Sequence, residues 1–118
     1  MTPELQKNFG AFYTPQNVAE FLTSWAVRDS RDTVLDPSAG EGVFLLAARN
    51  RVLELGGKAA DQVRGIELSH ATHKHTEFVL STLSPRPFLT RADFFDLSYS
   101  TFGSVTAIVG NPPFIRYQ

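Results

Sequence analysis

Four consecutive residues, Asn111-Pro112-Pro113-Phe114, combine groups that could handle a planar amine. Two successive prolines fix two φ angles. The residue before each proline is held extended, so Asn111 and Pro112 form a stiff clip. Such a clip can aim the Asn111 side-chain oxygen and the Pro112 carbonyl at one point. Two converging acceptors match a group with two N–H donors, an exocyclic or amide NH2. Phe114 adds a flat face for stacking a base or another planar group. The plainer alternative is a proline-rich strand exit with a core phenylalanine. A polar asparagine leaving an apolar strand nevertheless needs a partner.

Three further stretches carry chemistry. Gly40-Glu41-Gly42 places two glycines around one residue, where a tight backbone turn and close ligand approach need no Cβ. A dinucleotide loop would have a third glycine three residues later, where this sequence has Leu45. Glu41 would also repel a phosphate at a helix N-terminus. Both features favour a ligand without a pyrophosphate and set a nicotinamide-dependent oxidoreductase far behind. The alternative for this loop is a capping box of Ser38 and Glu41. Glu67 suits bidentate acceptance from two ribose hydroxyls, or is a solvated carboxylate at a strand end. Asp93 could accept from an adenine amino group, with Phe94 or Ile66 against the ring, or could cap a loop. His70, His73 and His75 share a helix, but no third metal ligand is evident, and exposed helix positions are the better account.

The elements that must position these groups alternate along the chain. Thr14 reads as an N-cap, with Pro15 in the first turn. Val18, Phe21, Leu22, Trp25 and Ala26 then form one apolar helical face, ending near Asp29-Ser30. A strand at Thr33-Leu35 stops at Asp36-Pro37. A second helix runs from Val43 to Leu55, before Gly56-Gly57. A strand follows at Val63-Leu68. A helix spans Ser69-Leu83, with Ala71, Phe78, Val79 and Leu83 as its apolar side. Short strands come at Phe88-Thr90 and Val105-Val109. This order predicts an α/β domain with a mostly parallel sheet. Right-handed crossovers would bring Asp36, Glu67, Asp93 and Asn111 to one edge, outside the carboxyl ends of the strands, where such sheets bind ligands.

Composition bounds the possibilities. The chain has 118 residues, net charge −1, 42% apolar and 19% charged residues, and no cysteine. That balance suits one domain or a piece of one and disfavours disorder. No apolar run is long enough to span a membrane. Disulfides, thiolate metal sites and cysteine nucleophiles are excluded, and a cytoplasmic location is expected. Ten phenylalanines are many for this length; Phe21 and Phe44 read as core.

Together these residues resemble the N-terminal part of the gamma-class N6-adenine DNA methyltransferases of restriction-modification and phage-defence systems. Phe9-Gly10-Ala11-Phe12-Tyr13-Thr14-Pro15 resembles the family's segment over the cofactor's methionine end. Val34 through Leu45, containing Asp36-Pro37-Ser38-Ala39-Gly40-Glu41-Gly42, resembles the cofactor loop. Gly65-Ile66-Glu67, Ala92-Asp93-Phe94 and Val109 through Phe114 resemble the acidic strand end, the adenine contact and the catalytic tetrapeptide. The asparagine-proline-proline-aromatic clip is shared with glutamine and RNA-adenine methyltransferases.

The resemblance implies a Rossmann-like class I methyltransferase sheet that is incomplete and carries the first four strands. Residues 1–30 would form a helical segment over the cofactor, and 31–118 a βαβαββ core. It implies S-adenosylmethionine held by Phe12, Tyr13, Thr14, Pro15, Asp36, Pro37, Ser38, Ala39, Gly40, Gly42, Ile66, Glu67, Asp93 and Phe94. It implies methyl transfer to the N6 amino group of a flipped adenine in DNA, with Asn111, Pro112, Pro113 and Phe114 catalytic and no metal. The chain alone is expected to be inactive or only cofactor-binding, with its fourth strand an unpaired edge open to association. Glutamine or RNA-adenine methylation, and a non-catalytic cofactor-binding module, are the alternatives.

Overall fold

The computed structural model describes residues 14–112. Helix α1 spans Gln16–Ala26, followed by strand β1, Val34–Asp36, and helix α2, Val43–Glu54. A single turn, α3 at Ala59–Gln62, leads into β2, Val63–Glu67. Helix α4 covers His70–Leu80 and strand β3 Phe88–Arg91. Two 3-10 turns, Phe94–Asp96 and Tyr99–Thr101, precede β4 at Ala107–Ile108. The sequence pattern does not announce α3 or the 3-10 turns, because one turn is too short to show a helical period.

The four strands are all parallel, in the order β3-β2-β1-β4. The central strand β1 is buried along its whole length. Asp36 lies opposite Gly65 of β2, and Leu35 opposite Ile108 of β4. Parallel pairing by crossover helices therefore puts every strand's carboxyl end on the same edge.

The core lies between sheet and helices, with Val34, Phe44, Leu45, Val52, Val63 and Leu80 all buried. Gly65 explains how α2 lies so close to β2. A Cβ there would meet the Leu45 side chain at 2.7 Å. The glycine that permits close helix–strand packing stands on the strand, and so Leu45 can occupy the helix position where a dinucleotide loop has glycine.

Two helical faces differ from their sequence pattern. In α1 the large apolar residues are turned outward: Phe21 is 65% and Trp25 67% exposed. The buried stripe is Ala19, Thr23 and Val27. Small side chains let α1 come close to α2, so volume rather than hydrophobicity selects the inner face. Phe21 is therefore not core, whereas Phe44 is. In α4 the buried residues are Thr76 and Leu80, while Phe78 and Val79 are exposed. Pro15, not Thr14, occupies the N-cap of α1; its carbonyl accepts from Val18 and Ala19 N–H at 3.1 Å. No helix among the described residues is long and apolar enough to cross a membrane.

Candidate active site

The site is built outward from the end of β1. Asp36 is buried, and its Oδ1 accepts from the Ser38 N–H at 3.0 Å. Burial pushes its carboxyl up to about 7; the Ser38 N–H opposes that shift, and the nearby Glu67 charge adds to it. Asp36 also lies against Gly110, where a Cβ would sit 2.5 Å from Oδ1 and φ is +154°. The last residue of β1 thus fixes the backbone just before Asn111.

The loop between β1 and α2 is held on three sides. The Ala39 N–H donates to the Ile66 carbonyl at 2.8 Å, tying the loop to β2. The Gly42 N–H closes the turn on the Ala39 carbonyl at 2.9 Å. Gly40 and Gly42 have φ of +54° and +87°, the left-handed region that favours glycine. The Gly40 N–H donates to Glu67 Oε1 at 2.8 Å, and Thr76 Oγ1 donates to the Gly40 carbonyl at 2.6 Å. Both polar groups of one loop glycine are therefore clamped, one from β2 and one from α4. Thr76 is fully buried and was not marked by any sequence motif. Its one legible sign is spacing: with Leu80 it forms an i, i+4 pair.

Glu67 is half-buried, and its Oε2 accepts from the Ser69 N–H at 2.8 Å. Each carboxylate oxygen keeps a further lone pair after these bonds. Ser69 also caps α4 through Thr72. The capping box of Ser38 and Glu41 does not form. Gly42 is the N-cap of α2 with no side-chain cap, Glu41 is exposed, and the buried Ser38 Oγ has no partner among the described residues.

At the ends of β3 and β4 the outcome is mixed. Asp93 is half-buried, and its Oδ1 accepts from the Phe95 N–H at 3.0 Å, capping a 3-10 turn. Phe94 is partly exposed and packs edge-on against Phe95 at 5.7 Å. Ile66 is completely buried and offers no surface to a ring, whereas Phe94 does. Asn111 is half-buried, and its Nδ2 donates to Thr14 Oγ1 at 3.0 Å. Pro37 is half-buried, Ala39 buried, and Pro15 and Pro112 exposed. Phe12, Tyr13, Pro113 and Phe114 lie outside the described residues. His73 is paired with Glu77 at 3.9 Å, and among the described residues no three histidine or acidic side chains group to hold a metal.

The N-6 DNA Methylase family profile matches residues 1–117. A type II methyltransferase, M.XamI of Xanthomonas campestris pv. amaranthicola, is 28% identical over 115 residues, covering 92% of this chain and 20% of the relative. A type I restriction-modification methyltransferase subunit from Streptococcus thermophilus superposes with TM-score 0.65 at 27% identity, covering 87% of this chain and 23% of that one. An RNA methyltransferase from Salinibacter ruber, solved with S-adenosyl-L-homocysteine, shares the fold with TM-score 0.62 at 20% identity over 84% of this chain and 60% of that one. The chain spans about a fifth of the length of the curated relatives it matches. Because the family match extends over nearly the whole sequence, the chain belongs to the N-6 DNA methylases.

Proposed function

We propose that this chain provides the cofactor site and catalytic clip of a DNA methyltransferase acting in restriction-modification or phage defence. It would use S-adenosylmethionine and modify the N6 amino group of adenine. One observation carries this reading: Asn111 leaves β4 at the same sheet edge as the clamped glycine loop and Glu67.

The residues fit an adenosine-bearing cofactor. Glu67 is fixed by the Gly40 and Ser69 N–H groups, and its remaining lone pairs suit ribose hydroxyls. The buried Ser38 Oγ has no partner among the described residues and lies in the loop that would meet the ligand. Exposed Phe94 offers a ring face beside Asp93. S-adenosylmethionine supplies a methyl group already activated on a sulfonium. The chain's task is then to position and activate the amine. The adenine amino nitrogen is a poor nucleophile because its lone pair is delocalised into the ring. Asn111 Oδ1 and the Pro112 carbonyl would each accept one amino hydrogen. That favours a pyramidal nitrogen and stabilises its positive charge as the N–C bond forms. In-line positioning can contribute about 7–11 kcal/mol to lowering the barrier. The base must leave the duplex to reach this clip, and Phe114 would stack on it.

Calorimetric titration of the chain with S-adenosylmethionine and with NAD tests the cofactor part. Binding of the first and not the second is expected, and the reverse would overturn it. In a polypeptide that carries this chain and methylates DNA, Asn111→Ala should abolish transfer and spare cofactor binding. Parent-like transfer by that variant would remove the catalytic assignment. Labelled cofactor offered with DNA, RNA and protein separates the substrate classes, with adenine in DNA expected.

A further inference from the structure

The hydrogen bond between Asn111 and Thr14 joins residues 97 positions apart and connects the entry to α1 with the exit from β4. We infer that Thr14 is a positioning residue: its hydroxyl holds the Asn111 amide where the amide oxygen can face the acceptor amine. This rests on the proposed role of Asn111 as an acceptor of amino hydrogens.

The oxygen and NH2 ends of an asparagine amide have nearly the same shape, but only the oxygen can accept. A half-turn of the amide would point N–H at N–H and abolish the interaction. Thr14 Oγ1 takes the Nδ2 proton at 3.0 Å, and Oδ1 has no donor among the described residues, so the acceptor end is left open. A hydroxyl can also donate, so the contact fixes where the amide sits, and the arrangement held here, with Nδ2 on Thr14, is the one that turns Oδ1 toward the amine.

Both ends of the contact are anchored. On one side, Pro15 lies between Thr14 and α1, at φ −60° and ψ 143°, and its carbonyl holds the first turn of the helix. Helix α1 is seated by fully buried Ala19, Thr23 and Val27. On the other side, the Val109 N–H donates to the Leu35 carbonyl at 3.0 Å, and Gly110 is packed on Asp36. The bond therefore links two fixed backbones rather than two loose side chains. Thr14 is not acting as a helix cap, because Pro15 is the N-cap and no side-chain cap bond is present.

Nuclear magnetic resonance of the chain labelled with 15N-asparagine tests the contact directly. The sequence has four asparagines, and Asn111→Ala identifies the signal of interest. Thr14→Val should move the Asn111 NH2 pair to a solvent-like position, and Thr14→Ser should leave it in place. An Asn111 pair unmoved by Thr14→Val would overturn the inference. The kinetic arm uses a DNA-methylating polypeptide that carries this chain. There Thr14→Val should lower kcat at saturating cofactor by about a hundredfold, the scale of a small misplacement of a reacting group, beyond any change in cofactor Kd. Thr14→Ser should recover most of the rate. Thr14→Ala, checked for native circular dichroism, serves if the valine variant misfolds. A parent-like kcat in the valine or alanine variant, or a loss confined to cofactor affinity, would sink the idea. Asn111→Ala is the control. If it retains transfer, the catalytic assignment of Asn111 falls and the role of Thr14 with it; if it is dead while Thr14→Val is active, only the role of Thr14 falls.

Discussion

Asp36 places a carboxyl where solvent cannot stabilise its charge, and the consequence is measurable as pH dependence. The free side chain ionises near 3.8, whereas the buried one keeps its proton up to about 7. The folded state binds more protons than the unfolded state between those values, so stability falls as pH rises through that window. The contribution is complete below about 4 and gone above about 7, and its ceiling is roughly 4 kcal/mol. Asp32 acts the other way, held low by the Asp29 and Arg28 N–H groups, and its contribution is lost only in acid. Asp36→Asn keeps an oxygen for the Ser38 N–H and removes the titration. Thermal melts of both proteins from pH 4 to 8 should therefore converge in acid, with the wild type falling away from the variant toward neutral pH. Parallel curves would show that Asp36 does not titrate in this range. The same carboxyl explains why residue 110 is glycine. Gly110→Ala would put a Cβ 2.5 Å from Asp36 Oδ1 at a φ of +154°, so the strand exit must shift. Loss of the Asn111 signal pattern in the 15N spectrum, with the fold otherwise native, is the expected result.

Helix α4 acts at the next scale, because its Thr76 hydroxyl secures the glycine loop from behind. Thr76→Val is nearly isosteric but leaves the Gly40 carbonyl without that donor. Such a loss typically costs about 1–3 kcal/mol, which predicts cofactor binding weakened by roughly fivefold to a hundredfold. Thr76→Ser should bind as the parent does, and calorimetry on all three proteins decides; equal affinity for the valine variant would refute the clamp. Elements of this kind mark the limit of what the sequence discloses. The alternation of strands and helices was readable from short apolar runs broken by Asp36-Pro37, Gly56-Gly57 and Gly110. The strand-end positions of Asp36, Glu67, Asp93 and Asn111 followed from it. The inner faces of α1 and α4 were not readable. Periodicity points to large apolar residues, whereas close helix packing selected Ala19 and Thr23, and the clamp selected Thr76. The partners of Asn111 and Gly40 were hidden for a related reason: each bond crosses elements far apart in sequence, and only the assembled topology brings them together.

At the scale of the whole molecule, large apolar side chains such as Phe21, Trp25 and Ile108 stand exposed, and a net charge of −1 gives little repulsion between copies. Strand β4 pairs with β1 along one side, and no other strand among the described residues joins it. On the sheet face that carries Leu35, the neighbouring Ile108 is 64% exposed, although Leu35 itself is buried. Arg64, on the same row of the sheet, donates to the Phe102 carbonyl at 3.0 Å, so the loop before β4 covers part of that face and stops short of the edge. An exposed strand edge with an apolar side chain beside it is a template for pairing with another chain. The chain by itself should therefore self-associate through β4. Sedimentation velocity across a concentration series is expected to show a rising sedimentation coefficient for the wild type. Ile108→Lys places a charge on the open edge and should shift the species toward monomer, while Phe21→Lys on the outer face of α1 should not. Because both substitutions lie at exposed positions, neither disturbs the core, and circular dichroism should stay native for each. A wild type that is monomeric at every concentration would refute the edge as an association site. Dispersal by Phe21→Lys but not by Ile108→Lys would move the contact to α1.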